Sequence, residues 1–390
     1  MPTMNLVPVT SDDYRRIAER KLPRFLFDYA DGGAYAEATL HKNVADFARI
    51  TPQQRVMRDV SNVQTAAAIA GTDSDIPLAL APVGMAGMFA RRAELQAKRA
   101  ADTANVPFTL STVSICSLEE IAGVSDKPFW FQLYMLRDRG VVQEILQRAW
   151  DAGVRTLLFT VDLAVVGERY RDVRNGIAGG ASAWGRLRAG PISYLSHPRW
   201  LVDVGLRGKP HTFGNLTEYV PAATNPTQYR EWVEDQFDAS VTWKDIEWLR
   251  DVWKGKLILK GILSSDDAGH AAAAGADGVV VSNHGGRQLD GVASSISVTS
   301  DVSEAYGDKI HILMDGGVRS GLDVFSARAL GAEGVLIGRP WVYAVSAKGE
   351  AGVENLLAAF KREMTTAMSL CGVNAVSDIS SELVSSPFSR

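Results

Sequence analysis

The sequence predicts an α/β protein, a (β/α)8 TIM barrel with N-terminal helices and a long insertion after strand 4. Three observations predict it. Eight short apolar runs alternate with helical stretches from residue 77 onward. Three of those helical stretches run into small turns just before the next run, at Ala152-Gly153, Ala274-Gly275 and Gly331-Ala332. Each run ends near a polar or glycine-bearing position, as a barrel with its site at the carboxyl ends of its strands requires. A doubly wound open sheet is the alternative reading of the same alternation.

The chain begins with a helical stretch over 10–30. Thr10-Ser11-Asp12-Asp13 can cap its start, and Tyr14, Ile17, Leu22, Phe25, Leu26 and Tyr29 supply apolar faces. Leu22-Pro23 divides it into two helices, because proline disfavours helical backbone in the residue before it. Asp31-Gly32-Gly33 ends the second, which puts Tyr29 near a helix carboxyl end, as a ligand contact or as a core tyrosine. The eight strand candidates follow at 77–81, 108–111, 129–133, 156–162, 257–260, 278–282, 310–315 and 334–338, with amphipathic helices at 141–152, 265–274 and 321–330.

The insertion lies between the fourth and fifth runs. Residues 229–237 and 243–252 read as helices, and 175–215 as irregular, glycine-rich chain. Between 176 and 215 stand Arg186, Arg188, Arg199, Arg207 and Lys209 against a single acid, Asp203, in a chain of net charge -4. Trp184, Tyr194, Leu195, Trp200, Leu201 and Val202 are interleaved. Cations among tryptophan and leucine suit a membrane surface; a lid or a subunit contact is the other reading. The barrel is expected to close without this segment.

Composition excludes several classes. With 390 residues, 46% hydrophobic and 22% charged, the chain suits a globular α/β protein. Its charge gives no case for nucleic acid. Cys116 and Cys371 share no metal spacing and no disulfide framework, so no metal is expected. No basic-then-apolar leader pattern opens the sequence, and no uncharged apolar run is long enough to span a bilayer.

The chemistry concentrates after the sixth run, in Ser282-Asn283-His284-Gly285-Gly286-Arg287-Gln288-Leu289-Asp290-Gly291. Histidine exchanges a proton near neutral pH. Arginine clamps a carboxylate through two parallel hydrogen bonds. Glycines let the backbone approach a ligand. A base and an anion clamp on one loop suit a small organic acid; a glycine-rich loop with a surface histidine is the other reading of the same residues. The other runs end in Ser111, Gln132 with Tyr134, Thr160 with Asp162, and Lys260. Asp315-Gly316-Gly317-Val318-Arg319 and Gly338-Arg339 close the last two units with free backbone N–H groups and cations, the usual phosphate cradle of this barrel.

With these motifs in hand, the chain resembles the FMN-dependent L-2-hydroxy-acid dehydrogenases and oxidases. Ser282–Asp290 is the most specific stretch; Leu22-Pro23 with Asp28-Tyr29, Phe131–Tyr134, Thr160-Val161-Asp162, Lys260-Gly261 and Asp315–Arg319 follow in the family's order. Ala81-Pro82-Val83-Gly84, Ser111–Ser114, Leu136–Gly140 and Trp243-Lys244-Asp245 resemble most the bacterial membrane-associated, quinone-linked L-lactate dehydrogenases. The resemblance implies one barrel domain over 1–390 with 176–240 inserted, and FMN as cofactor. It implies His284 as catalytic base with Asp162 orienting its imidazole. Arg287 and Tyr29 would bind the substrate carboxylate, Tyr134 its hydroxyl, and Arg169 would stand at the entrance. Lys260 would stabilise the anionic reduced flavin; Ser111, Gln132 and Thr160 would bond its ring; Pro82, Val83 and Gly84 would lie against N5. Asp315, Gly316, Gly317, Val318, Arg319, Gly338 and Arg339 would hold the ribityl and phosphate. Two departures stand out: Leu163-Ala164-Val165-Val166-Gly167 lacks a proline common in the family, and Val113 replaces a bulky aromatic of some relatives, which opens the pocket to acids larger than glycolate.

The expected activity is oxidation of L-lactate, or a related small 2-hydroxy acid, to pyruvate or its 2-oxo acid, with electrons passed to a membrane quinone by a homotetramer on the cytoplasmic side of the inner membrane. A soluble oxidase using oxygen and a non-catalytic flavin-binding protein are the alternatives.

Overall fold

A computed structural model describes residues 7–175, 193–220 and 235–388. Eight parallel strands lie in chain order: β1 (Leu78–Leu80), β2 (Thr109–Ser111), β3 (Trp130–Leu133), β4 (Thr156–Thr160), β5 (Lys256–Ile262), β6 (Gly278–Val281), β7 (His311–Asp315) and β8 (Gly334–Ile337). β8 pairs with β1, and the Leu80 amide donates to Pro107 O at 2.8 Å, beside a Leu80–Phe108 bridge. That contact joins β1 to β2 and closes the ring, which excludes the open sheet. Gly153, Gly275 and Gly331, in the turns read from the sequence, take φ of +87°, +84° and +93°, a region that favours glycine.

Alternation along the strands builds the barrel interior and then the site. Ala79, Trp130, Leu158, Ile258, Val280, Leu313 and Leu336 form one buried cluster in the barrel, plugged below by Ile69 and Ala70 of the 67–74 hairpin. Side chains two positions apart on a strand share a face. Gln132, Thr160, Lys260, Ser282 and Asp315 each lie two residues beyond one of those apolar positions, so the packing that fills the barrel aims these polar groups at its carboxyl end.

The first two N-terminal helices are as the sequence predicts: α1 (Ser11–Lys21), capped at its start by a Thr10–Asp13 capping box, then α2 (Arg24–Asp31) after the Leu22-Pro23 break; a third, α3 (Ala38–Ala45), is an addition to the predicted set. Asp31 ties them to the barrel. Its carboxylate accepts from Arg15 Nε at 2.6 Å, Arg171 Nη1 at 2.8 Å and the Tyr343 hydroxyl at 2.7 Å. Burial opposes its charge, but Arg15, Tyr343 and Arg171 outweigh burial and hold it well below the usual carboxylate range.

The insertion differs from expectation. Trp243–Val252 is helical as predicted, whereas the 229–237 expectation falls mostly outside the described residues. Residues 193–206 are not irregular: they form successive helical turns, Ser193–Ser196, Pro198–Trp200 and a π-helical Leu201–Leu206. Trp200 does not face outward. It is buried and donates Nε1–H to Met88 O at 2.8 Å, with Tyr194 stacked on it. The end of the segment is tied into the barrel, because the Asn215 side chain is fully buried and bonds Ser111 O, Ser114 Oγ and the Leu118 amide. Leu195, Val202 and Leu206 remain exposed. Trp184, Arg186 and Arg188 lie outside the described residues.

Candidate active site

His284 occupies a left-handed backbone conformation, φ +57°, followed by Gly285 at +64° and Gly286 at +74°. Such a φ is uncommon for a residue with a Cβ, and three in succession turn the chain sharply off β6. The glycines are required by contact as well. A Cβ on Gly286 would stand 2.5 Å from Leu40 N of α3. That helix is bolted to the loop: Asp290 accepts from the Thr39 amide at 2.7 Å, and Asn43 and Asn283 exchange amide hydrogen bonds of 2.7 and 2.8 Å.

The turn delivers the imidazole to Asp162. His284 Nδ1 lies 2.9 Å from Asp162 Oδ1, which leaves Nε2 directed to the chemistry. Burial pushes the His284 imidazole below its ordinary value, against the pull of Asp162 and with the help of Lys260. Burial works against the Asp162 carboxylate too, but His284 and Lys260 outweigh it and keep it below the usual range. The pair is therefore a neutral imidazole beside a carboxylate at neutral pH, the form that accepts a proton. Gln288 fixes the geometry from the same loop, donating Nε2–H to Asp162 O at 2.8 Å and to Val165 O at 2.9 Å.

One cavity joins the two halves of the site. Tyr29, Tyr134, Arg169, His284 and Arg287 line it, with Val113, Phe237 and Asp172. Pro82, Val83, Gly84, Thr160 and Lys260 line the same cavity, as do Asp315, Gly316, Gly317, Val318, Arg319, Gly338 and Arg339. Ser111 and Gln132 stand behind this lining in a relay: Ser111 Oγ donates to Gln132 Oε1 at 2.9 Å, and Gln132 Nε2 to Thr160 Oγ1 at 3.0 Å.

The cations are not equivalent. Arg287 donates Nη1–H to Tyr29 O at 2.6 Å and Gly32 O at 2.9 Å, with its guanidinium 4.9 Å from the Tyr29 ring centroid. Burial, with Arg169 close by, pushes it down to about 9. Arg339 gives its guanidinium to Ala30 O, Asp31 O, Gly285 O and Gly32 O, so its side chain braces the catalytic loop against α2. Lys260 lies 3.0 Å from Asp315 Oδ2 and 3.1 Å from Ser282 Oγ. Burial lowers its proton affinity, but Asp315 and Asp162 more than restore it, so it is a buried ammonium.

The cavity fits a flavin nucleotide. Asp315 Oδ1 is buried with no partner among the described residues. Gly316 and Gly317 take φ of +90° and +91°, and a Cβ on Gly317 would fall 2.0 Å from Asn43 O. Both glycines thus let the loop after β7 pack directly on Asn43 of α3, and Gly316 and Gly317 themselves line the cavity beside the unpaired Asp315 oxygen. Sequence reasoning missed Asp172, Ser282, Phe237 and Asn215. Asp172 had one available signal, its place three residues after Arg169 at a helix start.

These features define a flavin oxidoreductase barrel, and residues 18–386 match the FMN-dependent dehydrogenase family, to which the chain belongs. Among curated relatives it is 53% identical to an L-lactate dehydrogenase of Caulobacter sp. (strain K31), covering 95% of this chain and 96% of that one. It is 50% identical to an L-lactate dehydrogenase of Xanthomonas campestris pv. campestris (strain 8004), covering 96% of each. Among solved structures, a monotopic membrane protein, (S)-mandelate dehydrogenase, superposes with a TM-score of 0.90 at 34% identity over 98% of this chain and all of that one, 100%. A mandelate oxidase with (S)-4-hydroxymandelic acid gives 0.83 at 36% identity over 98% of this chain and 99% of that one. The chain is an FMN-dependent 2-hydroxy-acid oxidoreductase.

Proposed function

We propose that the protein oxidises L-lactate to pyruvate and delivers the electrons to a membrane quinone. The observation that carries the lactate reading is the His284–Asp162 pair, 2.9 Å apart, facing a cavity that also holds Arg287 and Tyr29. Bound FMN supplies the two-electron redox capacity. Arg287 and Tyr29 hold the carboxylate, with Arg169 above them. Tyr134 directs its phenol, kept protonated by burial, to the substrate hydroxyl. His284 Nε2 takes the proton and Asp162 stabilises the imidazolium. Lys260, with Ser111, Gln132 and Thr160, would hold the flavin ring, and Lys260 would set a positive charge where reduction adds negative charge. Pro82 to Gly84 would lie against the ring. Asp315 to Arg319 and Gly338, braced by Arg339, would hold the ribityl and phosphate. Anaerobic titration with lactate, glycolate and mandelate tests this: lactate should bleach the flavin fastest. A flavin that lactate leaves oxidised rejects the reading in favour of a binding protein.

The membrane half rests on Leu195, Val202 and Leu206, exposed beside Arg199, Arg207 and Lys209 in a segment at the active-site end of the barrel. No helix among the described residues is long and apolar enough to cross a membrane. We assign the docked face to the inner leaflet of the cytoplasmic membrane and the assembly to a homotetramer. Leu195→Ser, Val202→Ser and Leu206→Ser together should leave lactate bleaching intact and abolish co-sedimentation with anionic vesicles and quinone reduction there. A triple variant that still sediments moves the segment to a lid or subunit contact. Rapid reoxidation by oxygen alone would favour the oxidase.

A further inference from the structure

Among the acids lining the cavity, Asp172 differs from Asp315. Asp315 is paired with Lys260 at 3.0 Å. The Asp172 side chain is 8% exposed, and its closest ionic contact among the described residues is Arg169 Nη1 at 4.0 Å, beyond hydrogen-bond length. Burial is the largest influence on it and pushes its carboxyl above the ordinary value; Arg287, Arg169 and Arg171 pull it back, and Asp28 adds to the push. The two arginines do not depend on it for their places. Arg287 is anchored on Tyr29 O and Gly32 O, and Arg169 on Arg287 O at 3.3 Å and Gln288 Oε1 at 3.4 Å. A buried carboxylate without a short ion pair, beside two independently anchored guanidiniums, acts mainly through its charge.

We propose that Asp172 is a positioning residue that sets the strength of the carboxylate clamp: it shares the charge of Arg169 and Arg287 with the substrate carboxylate, and so weakens their hold on the 2-oxo acid product enough for it to leave. The inference rests on the reading that substrate carboxylate binds at Arg287. With the site empty, Asp172 is the anion that the paired guanidiniums face, and it offsets the cost of burying two like charges side by side. With substrate present, two carboxylates compete for the same pair, and repulsion across a few ångströms of partly desolvated site is worth about tenfold in affinity. An aspartate that served only the dipole of the short helix Tyr170–Arg174 would affect that helix and leave ligand affinity unchanged.

The test uses the FMN-loaded enzyme. Pyruvate affinity is read from the perturbation of the flavin spectrum, beside KM and kcat for lactate. Asp172→Asn should bind pyruvate about tenfold more tightly and lower KM in parallel, with kcat reduced by slow product release. Asp172→Glu, which keeps the charge, should return pyruvate affinity toward that of the parent. Asp172→Ser serves if the asparagine variant does not fold. Unchanged or weaker pyruvate binding in the neutral variants overturns the inference. Arg287→Ala separates it from the underlying reading: if that variant keeps full pyruvate affinity, the carboxylate site lies elsewhere. If it loses affinity while the neutral Asp172 variants gain none, the clamp stands and the role given to Asp172 does not.

Discussion

Asp162 and His284 meet across two loops, one after β4 and one after β6, with 2.9 Å between Oδ1 and Nδ1. The Asp162 Oδ2 atom is buried and has no partner among the described residues. The carboxylate thus has one close partner, the imidazole, and its effect should be visible in catalysis rather than in folding.

His284→Gln should keep FMN and lose turnover by about 10²- to 10⁴-fold, the usual contribution of a positioned base. Glutamine retains a hydrogen-bonding side chain but takes no proton. Single-turnover flavin reduction measures it, and near-normal reduction would remove His284 from the mechanism.

The pH profile should follow the same pair. The base works as neutral imidazole, and burial holds its pKa in the folded enzyme below the ordinary histidine value. kcat/KM should therefore rise with pH and level off before the ordinary imidazole titration is complete. Asp162 raises that pKa, so Asp162→Asn should shift the acid limb to still lower pH. Turnover should fall by about 10²-fold or more because the imidazolium loses its stabilising charge. A limb that moves upward instead would mean that Asp162 does not act on His284.

Arg287→Lys should not be conservative. A lysine ammonium cannot reproduce the bidentate fork, and it would also surrender the bonds to Tyr29 O and Gly32 O. Both KM and the reduction rate should worsen, since a mispositioned acid reacts slowly. Unchanged kinetics with lactate would place the carboxylate on another residue.

Asp31→Asn probes the fold. Removing one member of a buried ion pair costs about 3 kcal/mol, which denaturant unfolding at pH 7 should show. The sign of the pH dependence follows from linkage. Asp31 is held below its unfolded value, so its contribution is complete above about pH 4 and is lost as pH falls toward the folded value. The difference between parent and variant should be smaller at pH 3 by about 1 kcal/mol. An equal difference at both pH values would show that the carboxylate's charge is not what stabilises.

Much of this was legible in the residues because it is local. Strands announce themselves as apolar runs, and the polar residue two places further must share their inward face. The Ser282–Gly291 stretch carries its turn and its chemistry together. What was not legible depends on distant partners. Nothing near Asn215 in sequence says that it supports the backbone at Ser111 and Thr112. Trp200 looked like a membrane anchor beside arginines, and only the Met88 carbonyl explains why it turns inward. Arg339 is expected at the phosphate from its place after the eighth strand; its four carbonyl partners carry no local signal, since they come from α2, the turn after it and the catalytic loop.

The bolting of α3 onto the catalytic loop limits how this enzyme can be cut or recombined. A segment starting at β1 would contain every strand of the barrel, yet it would expose the Asn283 amide, the Asp290 carboxylate and the face of Gly286 that Leu40 now covers. The histidine turn would then have to hold three successive left-handed residues without its outer wall. A graft of this chemistry onto another barrel must carry Ala38–Ala45 with it, and a library that varies α3 is varying the active site.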